Sequence, residues 1–227
     1  MRMINLYKKY KDTIILNSTN LEIRENQVVF IMGENGVGKT TLLKCILQLE
    51  KYQGEILLED GEKIHQTNKK IGVVFDDMPL YSNLSGYQNI SILINRRVDK
   101  TETIEIGRSI LLDDKILKKK VKQYSNGQRK KLAILICMLI KPKYLFMDEI
   151  ANGLDYDALL NLKKLLKDWA SNSLVFLTGH YLDFYTDIVD TVLIMKNKQI
   201  YVYSEDFNNS DNREDLSIVY EKNIRNQ

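Results

Sequence analysis

Proline is nearly missing from this chain, with 2 residues in 227, and glycine is modest at 11. Collagen-like repeats and Pro/Gly-rich low-complexity architectures are thereby excluded. Cysteine is equally scarce. Cys45 and Cys137 both sit in apolar surroundings, and two such residues make no disulfide framework, so a reducing cytoplasm is the expected compartment. No long hydrophobic run is present. The longest, residues 132–140, is nine residues, against the roughly 20 that a membrane-spanning helix needs. The first ten residues lack the apolar block of a signal peptide. Work at a membrane would therefore require another chain to span it. Charge of one sign is also lacking: 33 Lys and Arg stand against 30 Asp and Glu, a net +3. Charge alone gives no argument for nucleic acid.

What is present suits a packed core. Hydrophobic residues make up 44% and charged residues 28% of the chain. The length fits one large domain, or a core carrying a small inserted subdomain. No internal repeat is visible. Residues 27–32 read Gln-Val-Val-Phe-Ile-Met, a short β-branched run that stops at glycine; this predicts a buried, parallel strand. Leucine and isoleucine at helical spacing predict a helix over 40–49. Strands are expected at 21–23, 54–58 and 71–75, with a turn at Asp60-Gly61. From Ser85 to about Lys122 strands vanish, and Ile90, Leu93 and Ile94 fall at helical spacing. A buried helix at 132–140 stops before Lys141-Pro142. Then come a strand at 144–147, an amphipathic helix at 158–170, a strand at 174–177 and a hairpin from 192–195 and 199–203. Beyond Ser204 the chain turns polar, with a short helix at 214–222. Alternating strands and helices imply an α/β layered fold. The expected organisation is a core of 1–84 and 141–203, a helical subdomain of 85–140 and a tail of 204–227.

Gly33-Glu34-Asn35-Gly36-Val37-Gly38-Lys39-Thr40 fits G-x-x-x-x-G-K-[ST], after a strand and before a helix. Gly36 and Gly38 free the backbone to turn N–H groups toward phosphate oxygens. The helix N-terminus favours the negative charge. Lys39 can reach the β- and γ-phosphates, and the Thr40 hydroxyl can ligate Mg²⁺, with Thr41 beside it. Such a loop needs a metal-binding acid on a neighbouring strand. The strand 144–147 ends in Asp148-Glu149: Asp148 to hold Mg²⁺ and Glu149 to polarise an attacking water.

Tyr124-Ser125-Asn126-Gly127-Gln128, 20 residues before Asp148, resembles the signature of the ATP-binding cassette (ABC) ATPases, usually Leu-Ser-Gly-Gly-Gln. Further elements follow in that family's order. Asn152-Gly153-Leu154-Asp155 looks like the D-loop, and His180, after the strand 174–177, looks like the switch histidine. Tyr10 sits where the family places an aromatic that stacks on adenine, with Tyr7 as a competitor. The resemblance covers about residues 3–203. It implies a P-loop core with a mixed, mainly parallel sheet, an N-terminal antiparallel β part and an inserted helical subdomain. It also implies that two such domains sandwich two ATP molecules, each site joining the P-loop of one subunit to the signature of the other. Ser125, Asn126, Gly127, Gln128 and Asp155 would then contact nucleotide, and His180 would orient the water with Glu149. The expected partners are a second nucleotide-binding domain, identical or related, and separate transmembrane permease subunits, with no nucleic acid. The expected place is the inner face of the cell membrane.

Three departures from the pattern stand out. Asp76-Asp77 follows the strand 71–75 where the family often has glutamine. With the run 80–86 this looks like the exporter branch that handles drugs, antimicrobial peptides and polysaccharides. Asp76 is expected near the metal as an acceptor-only ligand. Asn126 replaces a signature glycine, and Ile150-Ala151 replaces the usual Pro-Thr. None removes a group that performs chemistry, so an active ATPase is expected. Met78, Leu80, Tyr81 and Tyr87 are expected to line a groove for a membrane subunit. The lysines at 115–122 and the basic residues 129–131 are expected to be a solvated helix face. Competing readings are an importer subunit, a soluble ABC ATPase acting on ribosomes or DNA, and a regulatory nucleotide-binding module. The single cassette, the lack of a long heptad run and the presence of both Glu149 and His180 weigh against the last two.

Overall fold

The structure, a computed structural model, describes residues 1–67, 70–77, 79–95, 99–209 and 214–225. Met78 of the expected groove and parts of the tail lie outside the described residues. Along the chain run β1 (Arg2–Tyr10), β2 (Thr13–Glu22), β3 (Gln27–Met32), α1 (Lys39–Ile46), β4 (Gln53–Leu57) and β5 (Ile71–Val74). Four helices follow, α2 (Gly86–Ile94), α3 (Lys100–Ser109), α4 (Asp114–Lys118) and α5 (Asn126–Ile140). The chain then forms β6 (Tyr144–Met147), α6 (Tyr156–Ala170), β7 (Leu174–Thr178), α7 (Leu182–Thr186), β8 (Thr191–Lys196), β9 (Gln199–Ser204) and α8 (Leu216–Tyr220).

Two sheets result. An antiparallel sheet has the order β2-β1-β4, and a six-stranded sheet has the order β5-β6-β7-β3-β8-β9. The larger sheet is parallel apart from β9, which returns antiparallel to β8. The fold is therefore α/β with a mixed, mainly parallel sheet and an N-terminal antiparallel part.

The continuous apolar runs have a simple cause. Successive side chains of a strand face opposite ways, and both faces of the large sheet are covered. Val28, Phe30 and Met32 of β3 join Leu145 and Met147 of β6 and Val175 and Leu177 of β7 in one core, beneath α5 and α6. Val29 and Ile31 join Tyr144, Phe146, Leu174 and Phe176 in a second core, with α1 and the antiparallel sheet. Phe146 and Phe176 stack across β6 and β7 at a centroid distance of 5.2 Å. Each such buried side chain contributes about 1.5–3 kcal/mol, which holds the strand ends, and the loops they carry, in fixed register.

Short local signals set the helix starts. Ser85 caps α2 and Ser125 caps α5, each in a reciprocal pairing with the glutamine three residues on. Asp99, Asp113 and Asp155 cap α3, α4 and α6 through their carboxylates. Cys45 and Cys137 are buried and unbridged. Residues 214–225, which sequence polarity set apart as a tail, bring Leu216, Val219 and Ile224 into the core beside Tyr185. Lys196 anchors that segment by donating to the Asn223 carbonyl, at 2.5 Å.

Candidate nucleotide site

The loop between β3 and α1 is held by backbone geometry that only glycine accepts. Gly38 has φ 117°, and a Cβ there would lie 2.4 Å from the Ile15 side chain. The turn delivers Lys39 as the first helical residue. The Lys39 ammonium donates to the carbonyls of Gly33, at 2.8 Å, and Glu34, at 3.0 Å. Burial lowers the Lys39 pKa, while the nearby charges of Glu149 and Asp148 pull it back up. A lysine so placed carries a partly desolvated positive charge at the mouth of the loop.

One residue on, the Thr40 hydroxyl donates to Asp148 Oδ2 at 2.6 Å. The other Asp148 oxygen accepts from the Thr178 hydroxyl at the end of β7. Asp148 is 5% exposed, and its N–H donates to the Val74 carbonyl at 2.8 Å. The parallel register that sets β6 between β5 and β7 thus fixes this carboxylate over the start of α1.

Glu149 adopts φ 51°, the left-handed region, which costs a non-glycine residue on the order of 1–3 kcal/mol. Contacts to its backbone and its carboxylate hold it there, the Asn152 N–H donating to its carbonyl at 3.2 Å among them. Its N–H donates to the Thr178 carbonyl at 3.2 Å. Its carbonyl accepts from Lys130 at 2.6 Å. Its Oε2 accepts from Asn152 at 3.2 Å. Its Oε1 lies 3.0 Å from His180 Nε2. The two residues singled out for water activation are therefore in direct contact.

Ser125 and Gln128 close a reciprocal cap at the start of α5. The Ser125 hydroxyl accepts from the Gln128 N–H at 3.2 Å, and Gln128 Oε1 accepts from the Ser125 N–H at 3.1 Å. Gly127 is required by a close approach: a Cβ on it would lie 2.5 Å from the Gly153 carbonyl oxygen. A cleft of about 410 Å³ opens here, lined by Asp76, Asp77, Asn126, Arg129, Lys130, Asn152 and Gly153. It joins the signature-like segment to the loop that follows Glu149. Tyr10 is 41% exposed, with the Lys8 ammonium 4.1 Å from its ring centroid. Glu34, Asn35, Gly36 and Thr40 are exposed and Val37 and Thr41 half-buried along the loop.

One expectation changes. Lys130 and Lys131 are not a solvated face: they are 5% and 7% exposed. Lys130 pairs with Asp76 at 2.8 Å and Lys131 with Asp155 at 2.7 Å. The Lys131 ammonium, and then the Ala158 N–H, hold the Asp155 carboxyl below its usual range. The lysines of 115–122 are exposed as expected. Asp76 makes its ion pair with Lys130, and none of its described contacts runs to Thr40 or Asp148. In the expected groove, Tyr81 is 51% exposed, whereas the Tyr87 hydroxyl donates to Asp114 at 2.6 Å inside the helical region. Sequence reasoning missed Thr178 and Lys130; the threonine closing a strand opposite an acid was the available signal for the first, and nothing local marked the second.

A family model described as ABC transporter matches residues 16–152. The lantibiotic transport ATP-binding protein SrtF of Streptococcus pyogenes is 30% identical over 98% of this chain and 99% of its own length. The bacitracin transport ATP-binding protein BcrA of Enterococcus faecalis is 30% identical over 84% of this chain and 64% of its own. Among solved structures, a dimeric ATP-binding cassette in a post-hydrolysis state with ADP and Pi superposes with a TM-score of 0.77. It covers 90% of this chain and 98% of that one, at 23% identity, and so speaks for the fold.

Proposed function

Because the chain belongs to the ABC transporter family, we propose that its nucleotide site works as the geometry around Asp148 suggests. The chain is the ATP-binding and ATP-hydrolysing subunit of such a transporter, of the kind found in antimicrobial-peptide and drug exporters. The observation that carries the site reading is the 2.6 Å contact between Thr40 and Asp148, which joins the phosphate loop to the acidic strand end. Gly33, Glu34, Asn35, Gly36, Val37, Gly38, Lys39, Thr40 and Thr41 wrap the phosphates. Backbone N–H groups and the Lys39 ammonium offset their charge. Tyr10 offers its ring to the adenine.

The donor set suits magnesium: a hydroxyl and a carboxylate, hard oxygens side by side. Thr40 and Asp148 would hold the ion; for Asp76 the support is the resemblance alone. Magnesium, when bound, would offset charge on the β- and γ-phosphate oxygens. Glu149 accepts a proton from the attacking water, and His180, 3.0 Å away, fixes the carboxylate and reaches toward the γ-phosphate. Ser125, Asn126, Gly127, Gln128 and Asp155 close the site of a second subunit. Because the cap uses Ser125 Oγ only as an acceptor, its O–H is left to donate to the nucleotide beside the backbone N–H groups of the α5 N-terminus. Residues 85–140 form the helical subdomain, and together with the loop after β5, around Leu80, Tyr81 and Tyr87, it receives a permease. No described helix is long and apolar enough to cross a membrane, so this reading places the chain at the inner membrane face through that permease.

Co-purification from native membranes tests the reading. A polytopic partner retained in detergent is the expected result; ribosomal or DNA partners in its place would overturn it.

A further inference from the structure

Lys130 is unusual among the lysines of this chain. The residue is 5% exposed on α5, yet its ammonium reaches two other segments. It donates to the carbonyl of Glu149 at 2.6 Å and pairs with Asp76 Oδ1 at 2.8 Å. The peptide it holds is that of the residue with φ 51°. A left-handed glutamate persists only where its surroundings over-determine it. The N–H side of that residue is tied to β7 through Thr178, and the carbonyl side is tied by this lysine at 2.6 Å and more loosely by the Asn152 N–H at 3.2 Å. A buried ammonium is stable when a counter-charge accompanies it. Asp76, with its side chain 64% exposed, supplies that charge from the loop after β5.

We propose that Lys130 is a positioning residue for Glu149, and that Asp76 acts by holding Lys130. One ammonium then links the loop after β5, the helix α5 and the turn that carries the water-polarising carboxylate. The inference rests on the reading of Glu149 given above. It also supplies a role for the aspartate that stands where the family often has glutamine. A neutral amide at position 76 could accept one hydrogen bond but would leave the buried charge uncompensated.

The test uses the full chain and reads steady-state ATP hydrolysis alongside binding of a non-hydrolysable ATP analogue. Lys130→Met is expected to lower kcat about tenfold or more while KM and analogue affinity change less than about threefold, because a shift of the carboxylate, not of the phosphate loop, is what it causes. Asp76→Asn, with Tm measured beside it, should lower kcat in the same sense. The double variant should be no worse than Lys130→Met alone, since the two act as a unit. Parental kcat in either single variant overturns the proposal. So does a parallel loss of kcat and analogue affinity, or a double variant whose defect is the product of the two. Glu149→Gln separates the two levels. If it hydrolyses ATP at the parental rate, the reading of Glu149 fails and Lys130 falls with it; if it is inactive while Lys130→Met is fully active, only the role of Lys130 fails.

Discussion

His180 Nε2 lies 3.0 Å from Glu149 Oε1, although 31 positions separate them in the chain. The contact exists because β6 and β7 are parallel neighbours whose ends deliver both residues to the same edge of the sheet. Replacing Glu149 by Gln keeps the shape and removes the proton acceptor. Turnover should fall by about 10²-fold or more, with ATP binding retained and an ATP-dependent dimer accumulating on size exclusion. A monomer with undiminished hydrolysis would contradict the assignment.

Thr178 supplies a hydroxyl to Asp148 from a fully buried position. Thr178→Val preserves the shape and leaves the carboxylate short of one donor. The expected cost is about 1–3 kcal/mol, read as a lower Tm at roughly 2–4 °C per kcal/mol. More Mg²⁺ should also be needed for half-maximal ATPase, because Asp148 loses one of the two groups that orient it.

Gly127 approaches Gly153 too closely for any side chain. Gly127→Ala should displace the backbone of residues 152–154 rather than the core. ATPase is expected to fall by about tenfold or more, with Tm within a few degrees of the parent. Amide exchange should show the change at 152–154. An unchanged exchange pattern there would count against the packing role.

Asp155 both caps α6 and neutralises the buried Lys131. Asp155→Ser keeps a cap and loses the charge, whereas Asp155→Ala loses both. The serine variant should be the more stable of the two by about 1 kcal/mol, measured by urea unfolding. Equal stabilities would show that the cap contributes nothing.

Burial pushes the Cys45 thiol from 9.0 up to about 11 and the Cys137 thiol from 9.0 up to about 12. The unfolded chain therefore releases these protons first. Their contribution is fully present below pH 9 and is lost as pH rises through the folded-state values. Across that window each thiol lowers stability by about 1.4 kcal/mol per pH unit. Cys45→Ala and Cys137→Ala should each make the alkaline decline shallower, whatever they cost at pH 7. Thiol alkylation at pH 8 should follow global unfolding.

Contiguous residues were enough for much of this protein. Gly36, Gly38, Lys39 and Thr40 act within one turn, so their spacing alone identifies a phosphate loop. The runs 27–32 and 144–147 declare buried strands because both sheet faces are covered. The helix at 132–140 was legible only in its apolar part; the structure starts it at Asn126, where the Ser125–Gln128 pair closes the cap. What the sequence could not settle were the relations made across the sheet. Lys130 and Lys131 look like an ordinary polar helix face; only the turn after β6, brought against α5, buries them and turns them to Glu149 and Asp155. Asp76 shares this history, since its partner is 54 positions away. The reason is physical: a helix or strand signal is a property of neighbours along the chain, whereas a buried charge takes its meaning from whichever element covers it, and that is decided by the packing of β5, α5 and β6 together.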